Sequence, residues 1–99
     1  MGEDFYNDID AVRVHLSDSA ILEQMAEECC ELGQALLKKS RKLRGENFTP
    51  LTLDEIHKNI TEEFTDVIIC SEVLGLQIDM DIFVNKLHRW IERLENANN

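Results

Sequence analysis

The chain is short of the residues that break helices and of aromatic side chains. Its 99 residues include one proline and four glycines, and only 6% are aromatic. So few turn-formers argue against a sandwich of many short strands, and no repeat or low-complexity tract is present. Basic residues are scarce as well: ten Lys and Arg stand against twenty Asp and Glu, a formal charge of -10. A surface of that sign repels DNA and RNA, which argues against a nucleic-acid polymer as partner. No apolar run approaches the ~20 residues of a membrane span, and residues 1–7 carry no basic segment followed by an apolar one. A soluble, cytoplasmic protein without a membrane partner is the expectation. The three cysteines, adjacent Cys29 and Cys30 and solitary Cys70, form neither an even disulfide framework nor a CxxC zinc pattern, and they read as reduced core residues. His15, His57 and His88 fall singly on separate segments, without i, i+4 pairing, and read as surface or capping residues.

What the chain does have is apolar residues at helical spacing. Composition changes nowhere along its length, so residues 1–99 are expected to form one domain of all-α class. Ser17-Asp18-Ser19 offers N-cap candidates, after which Ile21, Leu22, Met25, Cys29, Leu32 and Leu36 repeat with helical period. This predicts a long helix over residues 19 to 44, ending at Gly45, with Lys38 to Arg44 as the positive complement of its C-terminal dipole in preference to a phosphate site. Ile9, Val12 and Leu16 suggest a shorter helix upstream. After a central loop at Gly45 to Pro50, Thr52 and Glu55 make a capping-box signature, and Ile56, Ile60, Phe64, Val67 and Leu74 carry a second long helix to Gly75. Asp79 or Asp81 can cap a third, whose apolar face runs through Ile82, Phe83, Leu87, Trp90, Ile91 and Leu94 to a polar tail at residues 96–99. The expected architecture is an antiparallel bundle of three long helices and one short N-terminal helix.

Certain acids occupy places that helical geometry reserves for apolar residues. At ~100° per residue, Glu63 falls about 20° from Leu74 on one side and from Cys70 on the other, inside the apolar stripe, and Asp66 borders it. On the preceding long helix Glu28 lies between Ile21 and Ala35 in angle, with Glu31 about 60° further round. Both pairs have i, i+3 spacing, ExxE at Glu28 and Glu31 and ExxD at Glu63 and Asp66, so each pair projects along one line. Antiparallel packing would gather all four carboxylates. Two like charges ~4 Å apart repel by ~4 kcal/mol at an effective dielectric of ~20, and a domain is stable by only ~5–15 kcal/mol. Such a cluster must be hydrated, share protons or hold a cation. Oxygen-only ligands without nearby histidine or cysteine favour a hard ion, so magnesium is expected, with manganese able to substitute. One ExxE alone would be an ordinary exposed pair; its repetition on two helices of one bundle is what points to a metal site.

In this order the motifs resemble those of the MazG-like, all-α nucleoside triphosphate pyrophosphohydrolases, marked by EExxE on one helix and ExxD on the next. Here they read Glu27-Glu28-Cys29-Cys30-Glu31 and Glu63-Phe64-Thr65-Asp66, and the likeness extends over about residues 20 to 95. The resemblance implies that Glu28, Glu31, Glu63 and Asp66 coordinate magnesium and that a nucleoside triphosphate, ribo or deoxy, is hydrolysed to the monophosphate and pyrophosphate. Glu27, the first acid of the motif and a candidate catalytic residue, points ~100° away from Glu28 and is open to three roles: support of a metal ligand, a base acting through water, or a solvated acid. A house-cleaning role in the nucleotide pool would follow. Family members also carry a lysine, an asparagine and an arginine along the last helix; Lys86 and Arg93 fit, while Trp90 replaces the asparagine. Independently, Lys86, Arg89 and Arg93 share one flank of that helix, where they could reach a phosphate tail.

Two other readings compete. A phosphoribosyl-ATP pyrophosphohydrolase would keep the fold and metal chemistry, but its histidine-bearing segment after ExxD is replaced here by residues 67–71, VIICS. A non-catalytic acidic bundle that binds a partner protein would keep only the fold. In every case the apolar arc of the first long helix, spanning roughly 200°, is wider than one antiparallel neighbour covers. Self-association is expected, as a homodimer or homotetramer, which also agrees with the resemblance.

Overall fold

Each long helix begins where a polar side chain can satisfy its orphan amides. Ser17 Oγ accepts from the Ala20 amide at 3.2 Å and Asp79 Oδ1 from the Ile82 amide at 3.1 Å. At Thr52 the full capping box forms: Thr52 Oγ1 accepts from the Glu55 amide at 3.1 Å, and Glu55 Oε2 accepts from the Thr52 amide at 3.4 Å. The computed structural model describes residues 3–46 and 50–97. Asn47, Phe48 and Thr49 of the expected central loop, and Asn98 and Asn99 of the expected polar tail, lie outside the described residues. Four helices follow in order: α1 (Glu3–His15), α2 (Asp18–Leu43), α3 (Leu53–Leu74) and α4 (Met80–Ala97). All regular structure among the described residues is helical, and no helix is long and apolar enough to cross a membrane.

The stops are as local as the starts. Gly45 and Gly75 take φ of 72° and 70°, the left-handed region that side chains with a Cβ resist. At both ends the two following amides fold back onto the last turn: Gly45 to Lys42 and Glu46 to Arg41, then Gly75 to Glu72 and Leu76 to Ser71, all at 3.0–3.1 Å. This Schellman arrangement uses carbonyls that would otherwise lack donors. The last turn of α3 holds no basic residue of its own. Arg13 of α1 supplies the charge instead, donating from Nε to the Val73 carbonyl at 2.8 Å and from Nη2 to the Glu72 carbonyl at 2.9 Å. A cation at a helix C-terminus opposes the dipole there, so Arg13 fixes α1 across the end of α3.

Helix α2 packs along α3, and α1 crosses the far end of α3. Ile9, Ile21 and Val73, one from each helix, meet in a small core flanked by Val12 and Leu74. Ile56 is the most deeply buried side chain, at 1% exposure, and Cys70 is buried on the same helix. Cys29 and Cys30 do not join it: both are exposed, which corrects the expectation that all three cysteines lie in the core. They sit on the wide apolar arc of α2, which the other described residues do not fully cover. The three histidines are exposed, as expected.

Helix α4 stands off from the pair. Every residue of it is exposed, and Ile82, Phe83, Leu87, Trp90, Ile91 and Leu94 retain 43–59% of their accessible surface. The Cα radius of gyration is 17.6 Å, against ~13 Å for a compact domain of this length. The expected third long helix is therefore present as a helix, while the helix packing among the described residues is that of α3 against α2 and α1.

Candidate metal and phosphate site

Four acids were candidates, and the α2–α3 packing brings three of them together. Carboxylate oxygens of Glu28, Glu31 and Glu63 all lie within 4.8 Å of one another. Glu28 and Glu63 are half-buried because their angular positions fall within the apolar stripes, as the helical geometry requires; Glu31 is exposed. Asp66 is exposed on α3 and is not one of the trio, although its charge acts on Glu28. Glu27 is exposed and also outside it, as expected for a residue ~100° round the helix from Glu28.

The electrostatics of Glu28 record the crowding. Gln24, one turn earlier on α2, donates from Nε2 to Glu28 Oε1 at 2.7 Å. That hydrogen bond is the largest single influence and lowers the Glu28 pKa, but burial and the charges of Glu31 and Asp66 act the other way. The net result holds the Glu28 carboxyl above its ordinary value. Burial likewise pushes the Cys70 thiol up, with the negative charges of Glu28 and Asp66 adding to it. The other oxygen of Glu28, Oε2, and Oε2 of Glu63 are both buried and without a hydrogen-bond partner. Buried acceptors are ordinarily satisfied, and leaving one unsatisfied costs ~1–3 kcal/mol, more when it is charged. Two such oxygens beside a third carboxylate form a donor set that a hard dication fits.

A groove of about 580 Å³ opens from these acids, lined by Glu31, Gln34, Ala35, Lys38, Arg41, Asn59 and Glu63. For the run that holds Lys38 and Arg41 the sequence favours a helix-end complement over a phosphate site, and it gives no role to Gln24, Gln34 and Asn59. The signal was available, since Lys38 is seven residues from Glu31 and hence ~20° away in angle, and Asn59 is four residues before Glu63. The flank expected on the last helix is also present: Lys86, Arg89 and Arg93 line a depression of about 470 Å³ with Trp90 and Glu92. All its walls come from α4, and it shares no residue with the acidic groove. The depression on α4 has a single carboxylate, Glu92, against three bases, so the α2–α3 groove is the better candidate for chemistry.

No family model matches the chain, and comparison with curated proteins and with solved structures returns no match.

Proposed function

We propose that the chain is a metal-dependent pyrophosphohydrolase that splits a nucleoside triphosphate, ribo or deoxy, into the monophosphate and pyrophosphate, in the manner of the MazG-like enzymes its motifs resemble. The observation that carries this reading is the pair of buried, unpartnered oxygens on Glu28 and Glu63, converging with Glu31 on facing helices. Glu28, Glu31 and Glu63 would hold magnesium or manganese, and Asp66 adds a fourth carboxylate on the same side. Such an ion neutralises phosphate charge and lowers the pKa of a bound water. Gln24 orients Glu28 through its 2.7 Å hydrogen bond, and Glu27 acts only through water. In the reaction, a water oxygen bonds to the α phosphorus and the bond from that phosphorus to the α–β bridging oxygen breaks. Pyrophosphate leaves with the electron pair, and the proton of the water passes to a carboxylate of the site.

The active form in this proposal is a homo-oligomer, dimer or tetramer, in which a second copy covers α4. Six large apolar side chains on one helix cannot remain in water without a large loss of burial, at ~25 cal/mol per Å². Helix α4 also carries three acids (Asp81, Glu92, Glu95) and three strong bases (Lys86, Arg89, Arg93), a net charge of zero, whereas α3 carries six acids and one lysine. A neutral helix with a basic flank approaches a second acidic copy without the repulsion that the rest of the surface imposes. Lys86, Arg89 and Arg93 enter as contacts to the phosphate tail once α4 is brought to a groove.

The test is a panel of ribo-, deoxy- and modified triphosphates with magnesium, scoring pyrophosphate and orthophosphate separately. Pyrophosphate is the expected product. Because loss of a residue that merely supports a metal ligand costs ~10–100-fold, Glu63→Gln and Asp66→Asn should cost more than that, with the helical circular-dichroism signal intact. Undiminished turnover in both variants would remove these carboxylates from the chemistry.

A further inference from the structure

The groove that begins at the acids ends at Lys38, a cation that the helix itself does not explain, and at Arg41 in the last turn. Lys38 is half-buried, lies outside the last turn of α2, and makes no ion pair or side-chain hydrogen bond among the described residues. The dipole's attraction falls off within that last turn, so it does not account for Lys38. Arg41, one turn on, lines the same wall and is likewise unpaired among the described residues. Side chains on a helix lean toward its N-terminus, which for Lys38 and Arg41 is the direction of Glu31. Seven residues of α2 rise ~10 Å from Glu31 to Lys38, too far for a direct pair, and Asn59 from α3 adds an amide between the two ends.

A ligand that suits the whole groove must put negative oxygens against Lys38 and Arg41 and also share a cation with the carboxylates. A linear polyphosphate does both. We infer that Lys38, Arg41 and Asn59 form a phosphate cradle belonging to the α2–α3 pair itself, holding the phosphates that depart as pyrophosphate. This rests on the pyrophosphohydrolase reading and extends it, since it names the residues that receive the leaving group and needs no contribution from α4. Lysine offers a point charge and arginine a planar fork of donors, a combination suited to two successive phosphates.

The experiment is isothermal titration calorimetry of the full chain, first with magnesium alone and then, with magnesium saturating, with inorganic tripolyphosphate. Magnesium uptake followed by tripolyphosphate binding is expected. Lys38→Gln and Arg41→Gln should each weaken the tripolyphosphate step about tenfold, a change of ~1.4 kcal/mol, and leave magnesium uptake unchanged. Lys39→Gln removes the same charge from a neighbouring half-buried position that does not line the groove, and should have a much smaller effect. Equal losses at Lys38 and Lys39, or no loss at Lys38 and Arg41, would overturn the cradle while leaving the metal site standing. Absence of magnesium uptake by the unmodified protein would overturn the pyrophosphohydrolase reading and the cradle with it, because uncompensated acids repel the anion.

Discussion

Helices α3 and α4 are built from the same kind of pattern and end in opposite situations. Each has an apolar stripe at helical spacing and a capping side chain at its start. Helix α3 lies against α2 and α1 and buries Ile56, Cys70 and Val73, while α4 buries nothing. The difference lies in what else the stripe contains. On α3 the stripe is interrupted by Glu63, and packing it traps a carboxylate oxygen without a partner. On α4 the charges that enter the edge of the stripe, Lys86 and Arg93 between Ile82 and Trp90 in angle, are basic rather than acidic, and none of the stripe is buried. The acid-bearing stripe is packed within the chain, and the exposed stripe of α4 is the face left for a second copy in the proposed oligomer.

The contrast can be broken most forcefully by truncating one stripe and charging the other. Ile56→Ala should destabilise the fold by ~2–5 kcal/mol through lost burial and a residual cavity, read as a fall in the midpoint of chemical denaturation. Leu87→Glu with Ile91→Glu should leave the helical content in place and shift sedimentation from an oligomer to the 11.5 kDa chain. If the α4 variant unfolds and the α3 variant does not, the assignment of core and contact surface is reversed.

The acid cluster gives a smaller effect with a definite pH dependence. Magnesium that binds only the native state should add ~2.7 kcal/mol of stability at a hundred times its Kd, visible as a rise in melting temperature. Glu28 has a pKa raised in the folded state, so folding favours its protonated form. Without metal its contribution is most favourable at low pH and is lost as pH rises from the ordinary carboxylate range through the raised folded value. The magnesium-dependent rise should run the other way, growing as pH climbs through that window and the carboxylate becomes free to bind. Glu28→Gln should flatten both trends; persistence of the magnesium shift in that variant would place the ion elsewhere.

The smallest expected effect concerns the cap that positions α3. Thr52→Ala removes half of the capping box and should cost ~1 kcal/mol, measured by denaturant titration, without altering the relative effect of magnesium. A change in the magnesium response would mean that the start of α3 and the site about three turns along it are more tightly coupled than a rigid helix implies.

Much of this was legible in the chain. Ser17, Thr52, Gly45 and Gly75 set helix boundaries by interactions spanning a few residues, and such local interactions need no tertiary information. The angular anomaly of Glu28 and Glu63 was equally local, because helical spacing alone places an acid inside a stripe. The fate of Cys29 and Cys30 was not, since an apolar arc shows which residues prefer burial and not whether a neighbour exists to bury them. Nor was the use of Lys38, whose position in a groove depends on α3 bringing Asn59 and Glu63 alongside.

By itself, then, the order of amino acids determined four helices, their caps and the two carboxylate pairs, because each depends on hydrogen bonds and side-chain directions within a few turns. Only the tertiary structure decided that Glu28, Glu31 and Glu63 converge while Asp66 and Glu27 stay outside, that Lys38 and Arg41 share their groove, and that α4 is left uncovered. Those outcomes depend on how two helices are rotated and staggered against each other, and that is fixed by the summed packing of many side chains rather than by any one segment.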